Sequence, residues 1–521
     1  MFTRTHLWLP SAVVTALQFL CAIAVPANAA GVPVDVFGRL PALEQLALSP
    51  DGKRIAFVRT IGDERQLVVN SLDDGKSLAG VTIGKTKFRD IKWADNDHVL
   101  VIVSSTTLPI GFVGRRSELT QLLIFDVEKK KLSDAMSRYS KDVTLNVIAG
   151  DPLIRRDGDE TYLVVPGIYF KGRSYPALFR VGLSSGFAPI EKSDSDVYDW
   201  VVDAKGKVAA AARYRNPSRK WALRVNLDNN EREYVTGSDD IDIPSIHGLS
   251  PGGASVWMSV NEKGVPTWKS MSLKDGSLGE IPESISGFES VLRGRYDDNI
   301  IGAYWGGEQG EVRFFDALVQ QYWSAFRSVV PGKTVTLVSY SDDFKRWIIS
   351  VNDDKAGPVY LLADINSGNA SRLGSAYSGL PELGEVQRVT YAAADGLPIR
   401  GFLTVPRNRP ATNLPLVVLP HGGPEAEDSG GFDWWAQGIA SQGYAVLQPN
   451  FRGSSTNMAL LSAGFGQWGR KMQSDLTDGV AYLAEKGIVD PKRVCIVGAS
   501  YGGYAALMGP ITHPGVYRCA A

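Results

Sequence analysis

A serine flanked by glycines lies close to the end of the chain, in the sequence Gly498-Ala499-Ser500-Tyr501-Gly502-Gly503. This pattern is typical of a sharp strand-to-helix turn that exposes a nucleophilic serine. A serine hydroxyl attacks a carbonyl carbon efficiently only when a base accepts its proton and hydrogen-bond donors stabilise the developing oxyanion. The spacing therefore predicts acyl transfer, with Ser500 as the nucleophile.

A second glycine motif, His421-Gly422-Gly423-Pro424, follows the apolar segment 414–420 and precedes Ser500 by 79 residues. In α/β-hydrolases one oxyanion donor is the N–H after the nucleophile, and another comes from a loop after an earlier strand. We therefore predict Tyr501 and Gly423 as the two donors. His421 and Arg452, which lies in Asn450-Phe451-Arg452-Gly453, are possible substrate-site residues. For Arg452, an ion pair that shapes the loop is an equal alternative.

The acid and the histidine of a catalytic triad follow the serine in the chain order of this fold. Residues 501–521 contain no Asp or Glu and one histidine, His513, which follows the nucleophile too closely to reach back to it. Asp475 and Asp478 precede the serine, in the wrong order. The sequence therefore predicts a triad whose Asp and His are not in this chain, a hydrolase domain that is incomplete at the C-terminus, and an inactive 521-residue product.

Strands and helices alternate after residue 380, which is typical of a parallel sheet covered by helices. Apolar strands at 414–420, 445–449 and 494–497 lead into the glycine motifs, and residues 473–486 have helical spacing. We predict residues 381–521 to be the N-terminal part of an α/β-hydrolase domain.

A polar turn followed by an apolar strand recurs before residue 380. The units start near residues 49, 94, 156, 203, 250, 296 and 341, at intervals of 45 to 47 residues with one of 62. A period in the forties with turn residues leading into strands is typical of a β-propeller. The sequence therefore predicts an all-β seven-bladed propeller over residues 31–380.

The first thirty residues have the pattern of a secretory signal peptide. Arg4 and His6 precede an apolar run from residue 7 to 25, and Ala27-Asn28-Ala29 offers a cleavage site after Ala29 or Ala30. We therefore predict an exported protein, periplasmic or secreted, with no stable membrane insertion after cleavage. An uncleaved anchor is the alternative.

The composition predicts no nucleic-acid partner, because 55 basic and 56 acidic residues balance. The five histidines are scattered and no metal-ligand spacing occurs, so no metal or other cofactor is implied. Cys495 and Cys519 remain after signal cleavage and are predicted to be buried on neighbouring strands. A disulfide between them is possible but is not implied by their spacing.

The motifs LPLVVLPHGGP, NFRGS, GQWG and VGASYGGYAAL, preceded by a seven-bladed propeller, resemble the prolyl oligopeptidase family of serine peptidases. The similarity is greatest to its acylaminoacyl peptidase and dipeptidyl aminopeptidase branch. The resemblance spans nearly the whole mature chain and is specific from His421 onward. It implies that the propeller caps the active site and admits short peptides.

The predicted function is thus a serine-type peptidase acting through Ser500. An esterase or other acyl hydrolase on the same scaffold is one alternative, because the fold and nucleophile do not fix the leaving group. A non-catalytic propeller protein with an inert hydrolase remnant is another. The sequence leaves open the cleavage specificity, the exo- or endopeptidase mode and the oligomeric state.

Overall fold

The computed structural model describes residues 33–521 apart from residues 85, 109–113, 137–145, 172, 185–189, 228–229, 239–242, 263–264, 283–287, 306–309, 332, 354–355 and 408. The predicted signal peptide, residues 1–30, lies outside the described residues. Seven small antiparallel sheets precede one six-stranded sheet. The predicted order of a seven-bladed propeller followed by an α/β-hydrolase fold is confirmed.

Each small sheet is one propeller blade built from consecutive strands. Blades 1 to 3 contain β1 (Leu43–Leu48), β2 (Arg54–Ile61), β3 (Glu64–Ser71), β4 (Ser77–Gly84); β5 (Lys87–Trp93), β6 (His98–Thr107), β7 (Ser117–Asp126), β8 (Lys131–Asp134); and β9 (Leu153–Asp157), β10 (Glu160–Lys171), β11 (Arg173–Gly182), β12 (Ile190–Ser193).

Blades 4 to 7 continue in the same order, with blade 6 as the exception. They contain β13 (Val197–Val202), β14 (Val208–Arg215), β15 (Lys220–Leu227), β16 (Asn230–Ser238); β17 (Ser245–Leu249), β18 (Ser255–Glu262), β19 (Val265–Ser272), β20 (Leu278–Glu280); β21 (Ser290–Arg293), β22 (Ile300–Trp305), β23 (Glu311–Phe314); and β24 (Val335–Tyr340), β25 (Arg346–Asp353), β26 (Gly357–Asp364), β27 (Asn369–Ser375). In blade 6, helix α1 (Ala317–Val329) follows the third strand, and Asp316 caps it by accepting from the amides of Leu318 and Val319.

The repeating turn of the sequence is the connection between the first and second strands of every blade. It is closed by equivalent main-chain hydrogen bonds, in which Ser49 N–H donates to Arg54 O, Ser250 N–H to Ser255 O and Ser341 N–H to Arg346 O. We name these connections the inner turns. The repeat was recognisable because the turn chemistry recurs at one structural position in each blade.

Apolar residues point to both faces of each blade because side chains alternate along a strand. In β6, Leu100 and Ile102 pack against blade 3, whereas Val99 and Val101 pack against blade 1. Buried apolar clusters fill each gap between consecutive blades, including that between blades 7 and 1. The blades therefore form a closed ring in chain order.

The hydrolase sheet has the strand order β28-β29-β31-β30-β32-β33. Its strands are β28 (Glu385–Ala392), β29 (Pro398–Val405), β30 (Leu414–Val418), β31 (Ala445–Asn450), β32 (Val489–Ile496) and β33 (Cys519–Ala520), with helices α2 (Trp434–Ser441), α3 (Met458–Ala463), α4 (Lys471–Glu485) and α5 (Tyr501–Thr512). The β28–β29 hairpin is antiparallel, and β31, β30, β32 and β33 run parallel.

Cys495 and Cys519 are register partners on β32 and β33 and form a disulfide. Cys519 is exposed and Cys495 is half-buried, so the expectation of two buried cysteines is wrong. Within the part of the chain that the structure describes, every helix is too short or too polar to cross a lipid bilayer.

Candidate active site

Ser500 occupies the turn between strand β32 and helix α5. Its φ of 57° and ψ of −123° lie outside the regions that residues with a side chain normally adopt. The turn holds Ser500 at the surface, while the next residue, Tyr501, is buried. A strained, exposed serine between a strand and a helix is the geometry of a nucleophile elbow.

Glycines make this turn possible because backbone atoms occupy the space of their missing side chains. A Cβ on Gly502 would overlap the carbonyl oxygen of Pro420, and one on Gly498 would overlap the backbone of Gly502. At Gly503 a Cβ would lie 3.2 Å from the Gly498 carbonyl oxygen, which a small shift could relieve. The elbow is therefore held by direct backbone contact.

The loop after β30 brings the second glycine motif to the nucleophile. A Cβ on Gly422 would lie 3.4 Å from the Ser500 Cβ and 3.9 Å from its Oγ, so the Gly422 backbone borders the serine side chain. The φ of Gly423 is +114°, a conformation that favours glycine. Two distant sequence motifs thus meet at one point.

His421 orients this loop. Its Nδ1–H donates to the Gly422 carbonyl oxygen over 2.7 Å. Because C=O and N–H point in opposite directions in a trans peptide unit, the N–H of Gly423 points away from His421. Tyr501 N–H is one of the first four amides of α5, which have no partner within the helix. The predicted oxyanion donors are therefore both backbone amides whose direction the local fold determines.

The His421 ring is held among protein groups. Nε2 lies 2.8 Å from the Ser454 hydroxyl, and the ring stacks on Phe451 at 4.5 Å. Burial lowers the pKa of His421, and the Ser454 hydroxyl donates to the Phe451 carbonyl oxygen over 2.6 Å. Both nitrogens are engaged, which gives His421 a loop-orienting role in place of the expected substrate contact.

Arg452 is buried beneath the same loop. Its guanidinium donates to Asp475 at 2.8 Å and to Asp395 at 2.9 Å, and its amide N–H also donates to Asp475. Asp475 has no exposed surface, and hydrogen bonds from Arg452 and Lys471 hold the pKa of Asp395 below its ordinary range. Of the two alternatives for Arg452, the structure shows the ion pair.

The other residues weighed from the sequence lie away from Ser500. His513 follows the last residue of α5, and a 12-residue helix separates the two by about 18 Å. Asp478 accepts a hydrogen bond from the Ala394 amide, and Asp475 is occupied by Arg452.

An apolar pocket of about 130 Å³ opens beside the oxyanion loop. Leu461, Phe465, Trp468 and Met472 line it, together with Pro424 and Glu425. The Trp468 ring meets the Tyr501 ring edge-on at 4.8 Å, which places the pocket next to the elbow. Phe465 and Trp468 are 45% and 54% exposed, so the pocket opens to solvent between apolar side chains. The sequence motifs alone did not predict this pocket.

The hydrolase domain contacts blade 7 of the propeller through the loop that contains Phe432. Asn352, near the end of β25, accepts a hydrogen bond from the Phe432 amide at 3.2 Å, and Tyr377 packs on the Phe432 ring at 5.0 Å. Glu289 at the start of blade 6 has a raised pKa, caused by burial and then by the nearby charge of Glu427. Glu427 follows the oxyanion loop, so the charge of a hydrolase-domain residue acts on a propeller carboxylate.

Fold and site together define the class: a propeller-capped α/β-hydrolase with a serine nucleophile elbow. Residues 431–521 match the family model described as "Prolyl oligopeptidase family". The predicted resemblance to the prolyl oligopeptidase family of serine peptidases is thereby confirmed.

Two proteins with sequences similar to this chain also have peptidase names. The chain is 27% identical over 504 residues to dipeptidyl aminopeptidase BIII of Pseudoxanthomonas mexicana, covering 93% of this chain and 70% of that protein. It is 32% identical over 214 residues to dipeptidyl peptidase family member 6 of Caenorhabditis elegans, covering 36% of this chain and 29% of the relative.

Solved structures share the fold at low sequence identity. A puromycin-hydrolyzing peptidase of Mycobacterium tuberculosis aligns with a TM-score of 0.63 at 16% identity, covering 93% of this chain and 77% of that one. Prolyl oligopeptidase B of Galerina marginata aligns with a TM-score of 0.64 at 14% identity, covering 93% and 73%.

Proposed function

We propose that the protein is a serine peptidase that hydrolyses short peptides by acyl transfer through Ser500. The observation that carries this proposal is the meeting of the elbow and the oxyanion loop, with the Gly422 backbone against the Ser500 side chain. Ser500 Oγ attacks the peptide carbonyl carbon as a general base accepts its proton, and the N–H groups of Gly423 and Tyr501 bind the oxyanion. The amine leaves with a proton, and water then releases the acyl group from the serine.

The experiment compares a peptide amide with an ester of the same acyl group, using the full-length protein, meaning a form that carries the Asp and His of the triad, and its Ser500→Ala variant. A peptidase hydrolyses the amide with a kcat/KM that Ser500→Ala abolishes. Hydrolysis of the ester alone favours the esterase alternative. Equal rates in both proteins favour the non-catalytic alternative, because any turnover then comes from elsewhere.

The apolar pocket supports a substrate with a hydrophobic side chain next to the cleaved bond. Its volume is close to that of a cavity of about 150 Å³ that binds benzene. Trp468→Ala should reduce kcat/KM about tenfold for a peptide with a leucine at that position, and little for the alanine analogue. Trp434→Ala is the matched control, since Trp434 is 49% exposed and stacks on Trp435.

An aminopeptidase mode is favoured by the carboxylates of Glu289 and Glu427 at the domain interface. The ammonium group of a peptide N-terminus would offset the repulsion between the charges of Glu289 and Glu427. The name of the relative dipeptidyl aminopeptidase BIII agrees with this mode. Acetylation of the substrate N-terminus should raise KM in the parent protein and have less effect in Glu289→Gln.

Export of the protein is supported by the signal pattern of residues 1–30 and by a disulfide, which persists in oxidising compartments. N-terminal sequencing of the protein recovered from its native host tests this proposal. A mature N-terminus at Ala30 or Gly31 is expected, and a retained Met1 would contradict it.

A further inference from the structure

The inner turn of blade 6, residues 294–299, reaches the opposite side of the propeller. Blades 5 and 7 are its neighbours in the ring, so contacts with blades 2 and 3 must cross the central axis. Arg295 donates to the Tyr340 carbonyl of blade 7 at 2.9 Å and lies 3.5 Å from the Trp93 carbonyl of blade 2. Tyr296 packs against the apolar cluster between blades 2 and 3. We name residues 294–299 the crossing turn.

A buried ion pair holds the crossing turn to blade 3. Arg155 on β9 is 1% exposed and lies 3.2 Å from the Asp298 carboxylate, which is 3% exposed. The same carboxylate accepts from the Val202 amide of blade 4. The remaining Arg155 donors bond to the carbonyls of Ile154, Val202 and Asp203. Burying a charge this deeply costs hydration energy, which only well-placed partners offset. The Arg155–Asp298 pair therefore fixes the position of the crossing turn.

A second set of contacts covers the outer side of the crossing turn. The Arg156 guanidinium lies 3.7 Å above the Tyr296 ring, and the Tyr296 hydroxyl donates to Asp342 of blade 7 at 2.7 Å. Arg295 forms an ion pair with the same carboxylate at 3.0 Å. Blades 3, 6 and 7 are therefore joined over the axis.

The crossing turn ends a large channel in the propeller. A cavity of about 770 Å³ runs along the first strands of blades 1, 2, 3, 6 and 7, and Arg295 and Asp298 are among its lining residues. Inner turns lie at one end of the blades, and the hydrolase contacts of Asn352 lie at the other, beyond the length of β25. We name the end with the inner turns the far mouth.

We propose that the crossing turn closes the far mouth, so that the channel is a chamber open only toward the hydrolase domain. The closure stands on the contacts of the crossing turn alone and does not depend on the proposed peptidase function.

The test measures access to the chamber without any catalysis. Ser339 lines the chamber in β24, one residue before the Tyr340 that Arg295 contacts, so Ser339→Cys in the disulfide-intact mature protein places one free thiol near the crossing turn. The measured quantity is its rate of modification by a maleimide carried on a large polyethylene glycol. Closure predicts slow modification, and an acceleration of about tenfold or more when Arg295→Gly and Tyr296→Gly are added.

The matched control is Lys205→Ala with Lys207→Ala, in the inner turn of blade 4 at the same face, which should leave the rate unchanged. If the double glycine variant fails to fold, Tyr296→Ala alone keeps the Arg155–Asp298 pair and should give a smaller acceleration. Modification of Ser339→Cys at the rate of an exposed surface cysteine, or a rate indifferent to both turn variants, overturns the closure. The rate of thiol modification does not depend on Ser500. The experiment therefore tests the closure even if the protein proves not to be a peptidase.

Discussion

The crossing turn of the propeller and the elbow of the hydrolase domain are both tight turns that matter for the site, but different atoms hold them. Charged side chains from blades 3 and 7 and a backbone amide from blade 4 fix the crossing turn, and Asp298 and Arg155 are its buried centre. The elbow is fixed by backbone against backbone, where Gly498 and Gly502 leave no room for a methyl group. A turn held by side chains should loosen when a charge is deleted, whereas one held by backbone contact should fail when a carbon is added.

Arg452 sharpens the comparison because it holds a loop next to the elbow by side-chain charge. Arg452→Ala leaves Asp475 buried without its cation, and breaking a buried pair in this way costs about 3–5 kcal/mol. Urea unfolding should show this loss in the transition of the hydrolase domain. Arg407→Ala removes an arginine that is 47% exposed and 4.0 Å from Glu382, and should change the free energy of unfolding by less than about 0.5 kcal/mol.

The backbone side of the comparison is tested by Gly502→Ala. Its methyl group would overlap the Pro420 carbonyl oxygen, so the elbow must shift and misplace the Ser500 hydroxyl. A displacement near 1 Å can reduce the rate about 100-fold, and kcat/KM of the full-length protein measures it. Gly503→Ala, with 3.2 Å to the nearest backbone oxygen, should lose much less. Equal losses in the two variants would contradict the backbone-contact account.

If charged side chains hold the crossing turn, Asp298→Ala should lower the free energy of unfolding. Arg155 then keeps three carbonyl acceptors and loses its carboxylate, which should lower the free energy of unfolding by about 2–3 kcal/mol. Chemical denaturation checks the value. Asp157→Ala is the control, because Asp157 is 76% exposed and 3.8 Å from Arg180. If Asp298→Ala lowers the free energy of unfolding no more than Asp157→Ala does, the buried pair does not hold the turn in place.

A smaller effect is expected from Asp428, which follows the oxyanion loop. Burial, with the nearby charge of Asp433, raises its pKa to about 7. The folded state therefore binds a proton that the unfolded state releases near pH 4, and stability should fall as pH rises from about 4 to 7. The melting temperature of the parent protein should drop by a few degrees over this range, and Asp428→Asn should reduce the drop. A steeper drop in the variant would show that another group is responsible.

The large features of the fold could be predicted because each has a local and repeated signal. The inner turns carry the same chemistry seven times, and apolar strands run directly into the glycine motifs of Gly422 and Ser500. Helix α1 was missed although Asp316 is a good capping residue, since it interrupts a region of strands.

The ion pairs were less predictable because their partners are distant in the sequence. Arg452 meets Asp395 and Asp475, and Arg155 meets Asp298, only after the strands between them have paired. The disulfide likewise depends on the register of β32 with β33, which spacing alone does not give. The length of the crossing turn was one signal in the sequence that this turn differs from the others. It has six residues, whereas the inner turn of blade 1, residues 49–53, has five.

The role of Ser500 is tested most directly by locating covalent modification. The full-length protein is treated with a fluorophosphonate, and the adduct is mapped by peptide mass spectrometry alongside peptide hydrolysis. The account predicts one adduct, on Ser500, and loss of both adduct and hydrolysis in Ser500→Ala. An adduct on another residue, or peptide hydrolysis at the parent rate in Ser500→Ala, would contradict it.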